Sequence, residues 1–178
     1  MNLVLPFRKA EAAVALDWDA LYADHVGRIY NFFRYRVVDT AAVEDLTSVT
    51  FEKAWSRRAQ FRGNAESFTA WLYTIARNVA NDHFRKSPPL VALEAASYLA
   101  APESVAEQVE RAGEFTRLVA AINRLPERER DIITLKYGAE LNNRQIAQQT
   151  RLSESNVGTI LNRTLQKLRL ELEAHDER

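Results

Sequence analysis

The apolar residues of this chain recur at three- and four-residue steps through most of its length, the spacing that buries one face of an α-helix. A clear example begins at Trp18 and continues through Leu21, Tyr22, Val26, Ile29, Tyr30 and Phe33. Only five glycines and five prolines interrupt the 178 residues, and runs rich in β-branched residues are few and short. We therefore predict an all-α fold.

A proline-rich break divides this helical pattern in two. Ser87-Pro88-Pro89 ends any preceding helix, because proline lacks an amide donor and restricts the residue before it, and Pro102 interrupts the chain again. The segment between is Ala-rich and acidic. We predict two small helical domains joined by a linker. The boundaries are 1–17 for an N-terminal tail, 18–86 for the first domain, 87–112 for the linker and 113–174 for the second domain.

The net charge of zero hides two basic segments, one in each predicted domain. Trp55 to Lys86 and Leu141 to Leu170 each carry a net charge of about +4, whereas Ser87 to Glu114 carries about −4. Affinity for nucleic acid rests on Lys and Arg that neutralise phosphates, so both domains are candidate binders. Charge alone is equally compatible with ordinary solvated helix faces.

Other classes of protein find little support in the sequence. The absence of cysteine excludes disulfides and thiolate metal sites and fits a reducing cytosol. His25, His83 and His175 are not paired at metal-ligand spacing, and no phosphate loop or nucleophile motif occurs. No stretch approaches the roughly 20 apolar residues of a membrane span. We predict a cytoplasmic protein that is not inserted in a membrane and has no catalytic residue, metal or cofactor.

The third predicted helix, Ala65 to Lys86, has two distinct faces. The preceding helix is capped by Asp39 or Thr40, and a loop over Phe61 to Ser67 separates the two helices. One stripe of the preceding helix comprises Val43, Leu46, Thr50, Ala54 and Trp55. The apolar face of the third helix comprises Phe68, Trp71, Leu72, Ile75 and Val79. Its polar face comprises Arg77, Asn78, Asn81 and Arg85. These donors and acceptors are suited to DNA.

The second domain contains two helix starts separated by a short turn. Asn142 is a predicted N-cap with Gln145 as its capping-box partner, and Ser153 is the next cap. Helices from Asn143 to about Thr150 and from Glu154 to about Leu172 then form a helix-turn-helix. Its second helix is predicted to bury Val157, Leu161, Leu165, Leu168 and Leu172. The residues left for a major groove are Ser155, Asn156, Thr159, Asn162, Arg163 and Lys167. A plain αα-hairpin in a bundle is the alternative.

Three segments, in order, resemble the extracytoplasmic-function (ECF) group of bacterial RNA polymerase sigma factors. Val43 to Trp55 is similar to the polymerase-binding helix of region 2 of that family. Phe68 to Asn78, continuing to Asp82 and Arg85-Lys86, resembles the helix that reads the upstream part of the −10 element. Leu125 to Arg130 and the helix-turn-helix resemble region 4, which reads the −35 element.

The resemblance implies a transcription initiation factor that directs core RNA polymerase to promoters and assists their opening. The residues facing the clamp helices of the polymerase β′ subunit would be Asp45, Leu46, Thr50, Phe51 and Ala54, with Trp55 either beside them or in the core. Asn64 would bind a flipped base, Arg77, Asn78, Asn81 and Arg85 would contact the −10 region, and Arg144 would bind a phosphate near the −35 element. The implied partners are core polymerase, through β′ and β, and promoter DNA. An anti-sigma factor that traps the two domains is a further candidate.

Two positions depart from the family pattern, and one competing function accounts for half of the chain. Arg151 stands where the turn usually has glycine, so the turn differs locally or Arg151 adopts a strained backbone angle. Gly158 interrupts the recognition helix.

A conventional helix-turn-helix regulator that binds duplex DNA without polymerase is the alternative function, and it explains the second half of the chain only.

Overall fold

The computed structural model describes residues 17–86 and 105–176, and within these ranges the chain is helical with no β-strand. The α-helices are α1 (Trp18–Arg34), α2 (Thr40–Ser56), α3 (Ala65–Lys86), α4 (Val105–Arg124), α5 (Glu127–Ile133), α6 (Asn143–Thr150) and α7 (Glu154–Asp176). A short 3-10 helix, Arg58–Gln60, follows α2, and one π-helical turn, Thr134–Gly138, follows α5. The all-α prediction is confirmed. Residues 1–16 of the predicted tail and 87–104 of the predicted linker lie outside the described ranges.

Aspartate side chains fix the starts of the first two helices. Asp17 accepts hydrogen bonds from the backbone N–H groups of Asp19 and Ala20, both at 3.1 Å. Asp39 caps α2 in the same way, which identifies it, and not Thr40, as the N-cap. Each cap satisfies amide donors that have no partner within the helix.

Helices α1, α2 and α3 pack around an aromatic core in which Phe32, Phe33 and Phe68 are almost completely buried. His25 belongs to this core. Its Nδ1 lies 2.9 Å from the carbonyl oxygen of Leu21 and its Nε2 lies 3.0 Å from Oγ1 of Thr69. Burial lowers the pKa of His25, so the neutral ring joins α1 to α3 as a structural group.

Helices α4 to α7 form the second group, which contains the predicted helix-turn-helix. Asn142 and Gln145 form the predicted capping box, with both hydrogen bonds at 2.9 Å. After α6 the backbone of Arg151 adopts the left-handed conformation, φ 56° and ψ 37°. The strained backbone expected at this position is therefore present. Gly158 lies within α7, which continues through it.

The predicted buried stripe of α7 is wrong at Leu165, which is 41% exposed. Thr164 is completely buried in its place, and Leu172 is only half-buried. An α-helix turns about 100° per residue, so position 164 stays in line with Val157, Leu161 and Leu168 while position 165 rotates towards solvent. The buried stripe is accordingly narrower than the leucines alone suggest.

The two helical groups pack directly against each other. The π-helical turn meets the second half of α1 so closely that a Cβ atom on Gly138 would lie 2.9 Å from the backbone oxygen of Asn31 and from Cα of Phe32. Tyr73 of α3 donates a hydrogen bond to the carbonyl oxygen of Ala139 at 3.4 Å, and burial raises the pKa of its hydroxyl. The buried apolar residues consequently form one continuous cluster.

Gly138→Ala tests this close backbone approach. We expect the substitution to lower the free energy of unfolding by about 1–3 kcal/mol, because the added methyl group has no space between the two helical groups. Urea denaturation followed by circular dichroism measures the change. Gly27→Ala is the matched control, because its Cβ would meet nothing within 4 Å. This control should gain about 0.5–1 kcal/mol. A Gly138→Ala protein as stable as the wild type would contradict the packing described.

Candidate polymerase and nucleic-acid interfaces

The residues predicted on α2 to contact polymerase divide into exposed and buried positions. Asp45 is exposed and Phe51 is half-buried at the surface. Leu46, Thr50 and Ala54 are buried against the core, and Thr50 donates its hydroxyl hydrogen to the carbonyl oxygen of Leu46 at 2.8 Å. Direct contact between these three side chains and a partner is therefore not possible in this conformation, because they face the core side of α2.

Aromatic side chains of α1 and α2 lie together at the surface of the first helical group. Tyr22 of α1 and Trp55 of α2 are 51% and 52% exposed, which excludes Trp55 from the core. The Tyr22 and Phe51 rings lie 4.7 Å apart between centroids, and those of Trp18 and Trp55 lie 5.7 Å apart. We call Trp18, Tyr22, Phe51 and Trp55 the aromatic patch. The sequence did not reveal Tyr22 as a surface residue, because it follows the same spacing as the buried residues of α1.

The loop before α3 is folded back on the start of that helix. Oδ1 of Asn64 accepts a hydrogen bond from the backbone N–H of Ser67, and Oγ of Ser67 accepts one from the N–H of Asn64, both at 2.9 Å. A Cβ atom on Gly63 would lie 2.1 Å from the same Ser67 oxygen, so the loop needs glycine there. Asn64 is thus held at an exposed and well-defined position.

The polar face of α3 is only partly open to solvent. Asn78 and Arg85 are exposed, and Arg85 pairs with Asp82 at 3.0 Å. Asn81 donates a hydrogen bond to Glu127 of α5 at 3.2 Å, and Arg77 also turns towards α5. Of the four residues predicted to contact the −10 region, the structure partly covers only Arg77, while Asn78, Asn81 and Arg85 are exposed.

A single carboxylate, that of Asp131 in α5, lies between two arginines of the first helical group. Its Oδ2 accepts a 2.9 Å hydrogen bond from Nε of Arg77, and its Oδ1 accepts one from Arg36. Arg36 also donates to Oγ1 of Thr134 from Nε at 3.1 Å and from Nη2 at 2.9 Å. Burial lowers the pKa of Arg36 and the charge of Asp131 acts against it, so the guanidinium stays protonated. Sequence patterns did not single out Arg36 or Asp131.

The surface of the helix-turn-helix is open to solvent. Arg144 is exposed on α6, and the predicted groove-facing residues of α7 are all exposed: Ser155, Asn156, Thr159, Asn162, Arg163 and Lys167. Ser153 caps α7 by accepting a 3.2 Å hydrogen bond from the backbone N–H of Asn156. The structure brings these residues together on one face, as the helical spacing predicted.

The two cations of that face are anchored by one acid. Glu129 of α5 accepts hydrogen bonds from Lys167 at 2.9 Å and from Arg163 at 3.2 Å. The hydrogen bond from Lys167 holds the pKa of Glu129 below its usual range, and the charge of Arg163 acts in the same direction. Two side chains that were predicted to face the major groove are therefore paired with Glu129, which partly neutralises their charge.

The described part of the chain has neither a metal-binding cluster nor a membrane-spanning helix. No group of three or more His, Asp or Glu side chains there could hold a metal ion. None of the helices described above is long and apolar enough to cross a membrane.

Two sigma-factor families match the chain on either side of the proline-rich break. Residues 21–87 match Sigma-70 region 2, and residues 115–168 match region 4 of Sigma-70. The first range includes α3 and the aromatic patch except Trp18, and the second includes α6 and most of α7. The chain belongs to the ECF group of RNA polymerase sigma factors. The conventional regulator is not favoured, because it accounts for region 4 alone.

Curated relatives carry the same family name. The chain is 33% identical over 165 residues to the ECF RNA polymerase sigma factor BldN of Streptomyces coelicolor, with 89% of this chain and 59% of BldN covered. It therefore spans about three fifths of that relative. The ECF sigma factor SigM of Bacillus subtilis is 28% identical, with 85% of this chain and 92% of SigM covered.

Solved structures share the fold. CnrH, solved in complex with the cytosolic domain of CnrY, aligns with a TM-score of 0.64 at 22% identity over 88% of each chain. RpoE of Bartonella quintana, solved in complex with the anti-sigma factor NepR, aligns with a TM-score of 0.64 at 21% identity, covering 88% of this chain and 97% of RpoE. At these identities the likeness concerns the fold alone.

Glu129→Gln tests the anchoring of Arg163 and Lys167. At pH 7 we expect a loss of about 0.5–1 kcal/mol in the free energy of unfolding, a modest value because solvent screens the two half-exposed cations. This contribution is present above the ordinary glutamate pKa of about 4.3 and is lost as pH falls through the lowered pKa of the folded state. Urea denaturation between pH 3 and 7 measures it. Glu173→Gln, which breaks the exposed pair with Arg169, should change nothing. Equal stability of wild type and Glu129→Gln at pH 7 would contradict the anchoring.

Proposed function

We propose that this sigma factor binds core RNA polymerase through region 2, directs it to specific promoters and assists promoter opening without catalysing a reaction. The observation that carries the proposal is that one chain has two separate polar helix faces suited to DNA, on α3 and α7, and a third surface rich in exposed aromatic side chains. A protein with this role acts where the polymerase acts, in the cytoplasm. We propose 18–86 as region 2, 87–112 as the linker and 113–174 as region 4.

The polymerase-binding surface that we propose consists of the aromatic patch together with Asp45. Large exposed aromatic side chains are uncommon on a monomer surface and are enriched at the centre of protein interfaces. Asp45 adds an exposed acidic group on the same helix as Phe51 and Trp55. Leu46, Thr50 and Ala54 would support this surface from beneath by fixing α2 against the core. The β′ clamp helices are the proposed partner, and the β subunit is the proposed contact of region 4.

For the −10 element, we propose that Asn64 binds a base flipped out of the non-template strand. The capping interaction uses Oδ1 of Asn64, and its amide nitrogen has no partner among the described residues, so it can donate to a base edge. Asn78 and Arg85 lie further along α3 for contacts to bases or phosphates. Asn81 is exposed as well, although it donates a hydrogen bond to Glu127, whereas Arg77 becomes fully available only when α5 moves away. Binding to polymerase is the step proposed to separate the two regions.

For the −35 element, we propose that α7 enters the major groove with Ser155, Asn156, Thr159 and Asn162 facing the base edges. Arg144, Arg163 and Lys167 would contact phosphates and set the register of the helix. An anti-sigma factor is a further proposed partner, supported by the complexes in which CnrH and RpoE were solved and by the compact packing of regions 2 and 4.

Run-off transcription with purified core polymerase over a genomic promoter library tests the proposed function. We expect initiation at a limited set of promoters only when the chain is added. A gel shift on those promoters, with and without core polymerase, separates the proposal from its competitor, since tight specific binding by the chain alone indicates a regulator. Failure to support initiation with core polymerase from its own host would refute the proposal.

Replacing Phe51 or Asp45 with Ala should weaken association with core polymerase at least about tenfold, because central interface residues dominate binding energy. Both side chains reach the surface, so the fold should be retained, and circular dichroism verifies this. Biolayer interferometry on immobilised core polymerase measures the affinity. Matched controls are Leu170→Ala, 68% exposed on α7, and Glu173→Ala. Unchanged affinity of both α2 variants would remove the docking surface from the proposal.

Replacing Asn64 with Ser should reduce promoter opening more than polymerase binding. Serine is also a good N-cap, so α3 keeps its start while the amide that would bind the flipped base is removed. Permanganate footprinting of unpaired thymines on a promoter found in the library measures the opening. Ser67→Ala is the control, since it disturbs the same cap and leaves Asn64 in place. A footprint equal to that of the wild type would show that Asn64 does not hold a base.

A further inference from the structure

Region 2 contributes two guanidinium groups to a single buried anion. The Asp131 carboxylate accepts hydrogen bonds from Arg36 on one oxygen and from Arg77 on the other. The side chains of Arg36, Asp131 and Arg77 are 0%, 3% and 27% exposed. The two arginines therefore converge on one point of region 2, and the anion at that point is supplied by region 4.

The charges at this point do not balance. Two arginines face one carboxylate, and Arg130 is a further cation close enough to act on Arg36. Nη1 of Arg36 is buried and makes no hydrogen bond within the described residues. Thr134 accepts hydrogen bonds from Nε and Nη2 of Arg36, but a hydroxyl group carries no charge. The arginine pair thus has more positive charge and more donors than Asp131 satisfies.

We propose that Arg36 and Arg77 form a binding site for a phosphodiester group of promoter DNA, which Asp131 occupies in the closed protein. A phosphodiester has one negative charge on two non-bridging oxygens and so matches the two-oxygen geometry of the carboxylate in this site. Arg77 lies on the α3 face predicted to contact the −10 region, and Arg36 reaches the same place from the segment between α1 and α2. Arg36 thereby becomes a DNA-binding residue that the family resemblance did not indicate.

The same arrangement makes DNA binding and closure mutually exclusive. Arg77 also donates to the carbonyl oxygen of Gln149 at 3.3 Å, so α5 and α6 together partly cover Arg77. A DNA backbone reaches the arginine pair only after region 4 has moved, and a bound phosphate prevents Asp131 from returning. This inference rests on the proposed function for its ligand.

The experiment uses the full chain without polymerase and a labelled single strand of mixed sequence, about 12 nucleotides long. We expect Asp131→Ala to bind this strand at least about fivefold more tightly than wild type, because the binding-competent open form becomes more populated. Adding Arg36→Gln to Asp131→Ala should abolish the gain and reduce the salt slope of binding by about 0.7, the value for one phosphate contact on a single strand.

Separation of the two regions is measured independently by energy transfer between dyes. The chain has no cysteine, so the exposed residues Ser48 and Gln166 can be replaced by cysteine and labelled without background. Asp131→Ala and Asp131→Asn should both lower the transfer efficiency, with helical content unchanged by circular dichroism. Glu140→Ala is the matched control, since it removes the exposed region 4 carboxylate 3.9 Å from Arg28 of region 2 and should leave both readouts unchanged.

Inorganic phosphate is the second probe, because it carries the same chemistry as the DNA backbone. If the single DNA strand separates regions 2 and 4 of the wild-type chain and millimolar phosphate does not, the result supports a DNA site. Three outcomes would each overturn the inference. Phosphate could separate the regions as well as the strand does, Asp131→Ala could bind the strand no more tightly than wild type, or the tighter binding of Asp131→Ala could persist when Arg36→Gln is added. Run-off transcription by the same wild-type preparation reports separately on the proposed function.

Discussion

The carboxylate of Asp131 fixes how region 2 and region 4 of this protein pack against each other. A charge buried in the interior is costly unless it is paired, and removal of one partner from such a pair typically costs about 3–5 kcal/mol. Arg36 and Asp131 are both buried in the contact between regions, so neither can be left alone there. The close approach of Gly138 to α1 and the hydrogen bond from Tyr73 to Ala139 require the same alignment. Packing of apolar residues alone would tolerate several alignments, whereas this ion pair permits one.

Closure affects the two DNA-facing helices unequally. The groove-facing residues of α7 are exposed, while α3 has Arg77 and Asn81 turned towards region 4. The aromatic patch is also open to solvent. The closed protein therefore exposes the surface proposed to bind polymerase together with the helix proposed to read the −35 element, while Arg77 of the proposed −10 face is partly covered.

Local patterns in the sequence predicted most of the local structure. The helices, the Asn142 capping box and the exposed face of α7 depend on residues a few positions apart, where spacing and capping rules apply. The contact between regions could not be predicted, because Arg36 and Asp131 are 95 residues apart and belong to no motif. For a related reason the exposure of Leu165 was missed, and the sequence left open whether Leu46, Thr50 and Ala54 belong to the core or to the surface. Which part of a helix surface is covered depends on its neighbours in space.

The link from Glu129 to Arg163 and Lys167 affects how this family member can discriminate among promoters. Cations that are already partly neutralised contribute less attraction to the uniform charge of the double helix, which is identical at every site. Discrimination then depends more on the uncharged hydroxyl and amide groups of α7, whose hydrogen bonds distinguish one base pair from another. Exchanges among serine, threonine and asparagine at those positions could redirect the protein to new genes while its net charge stays the same.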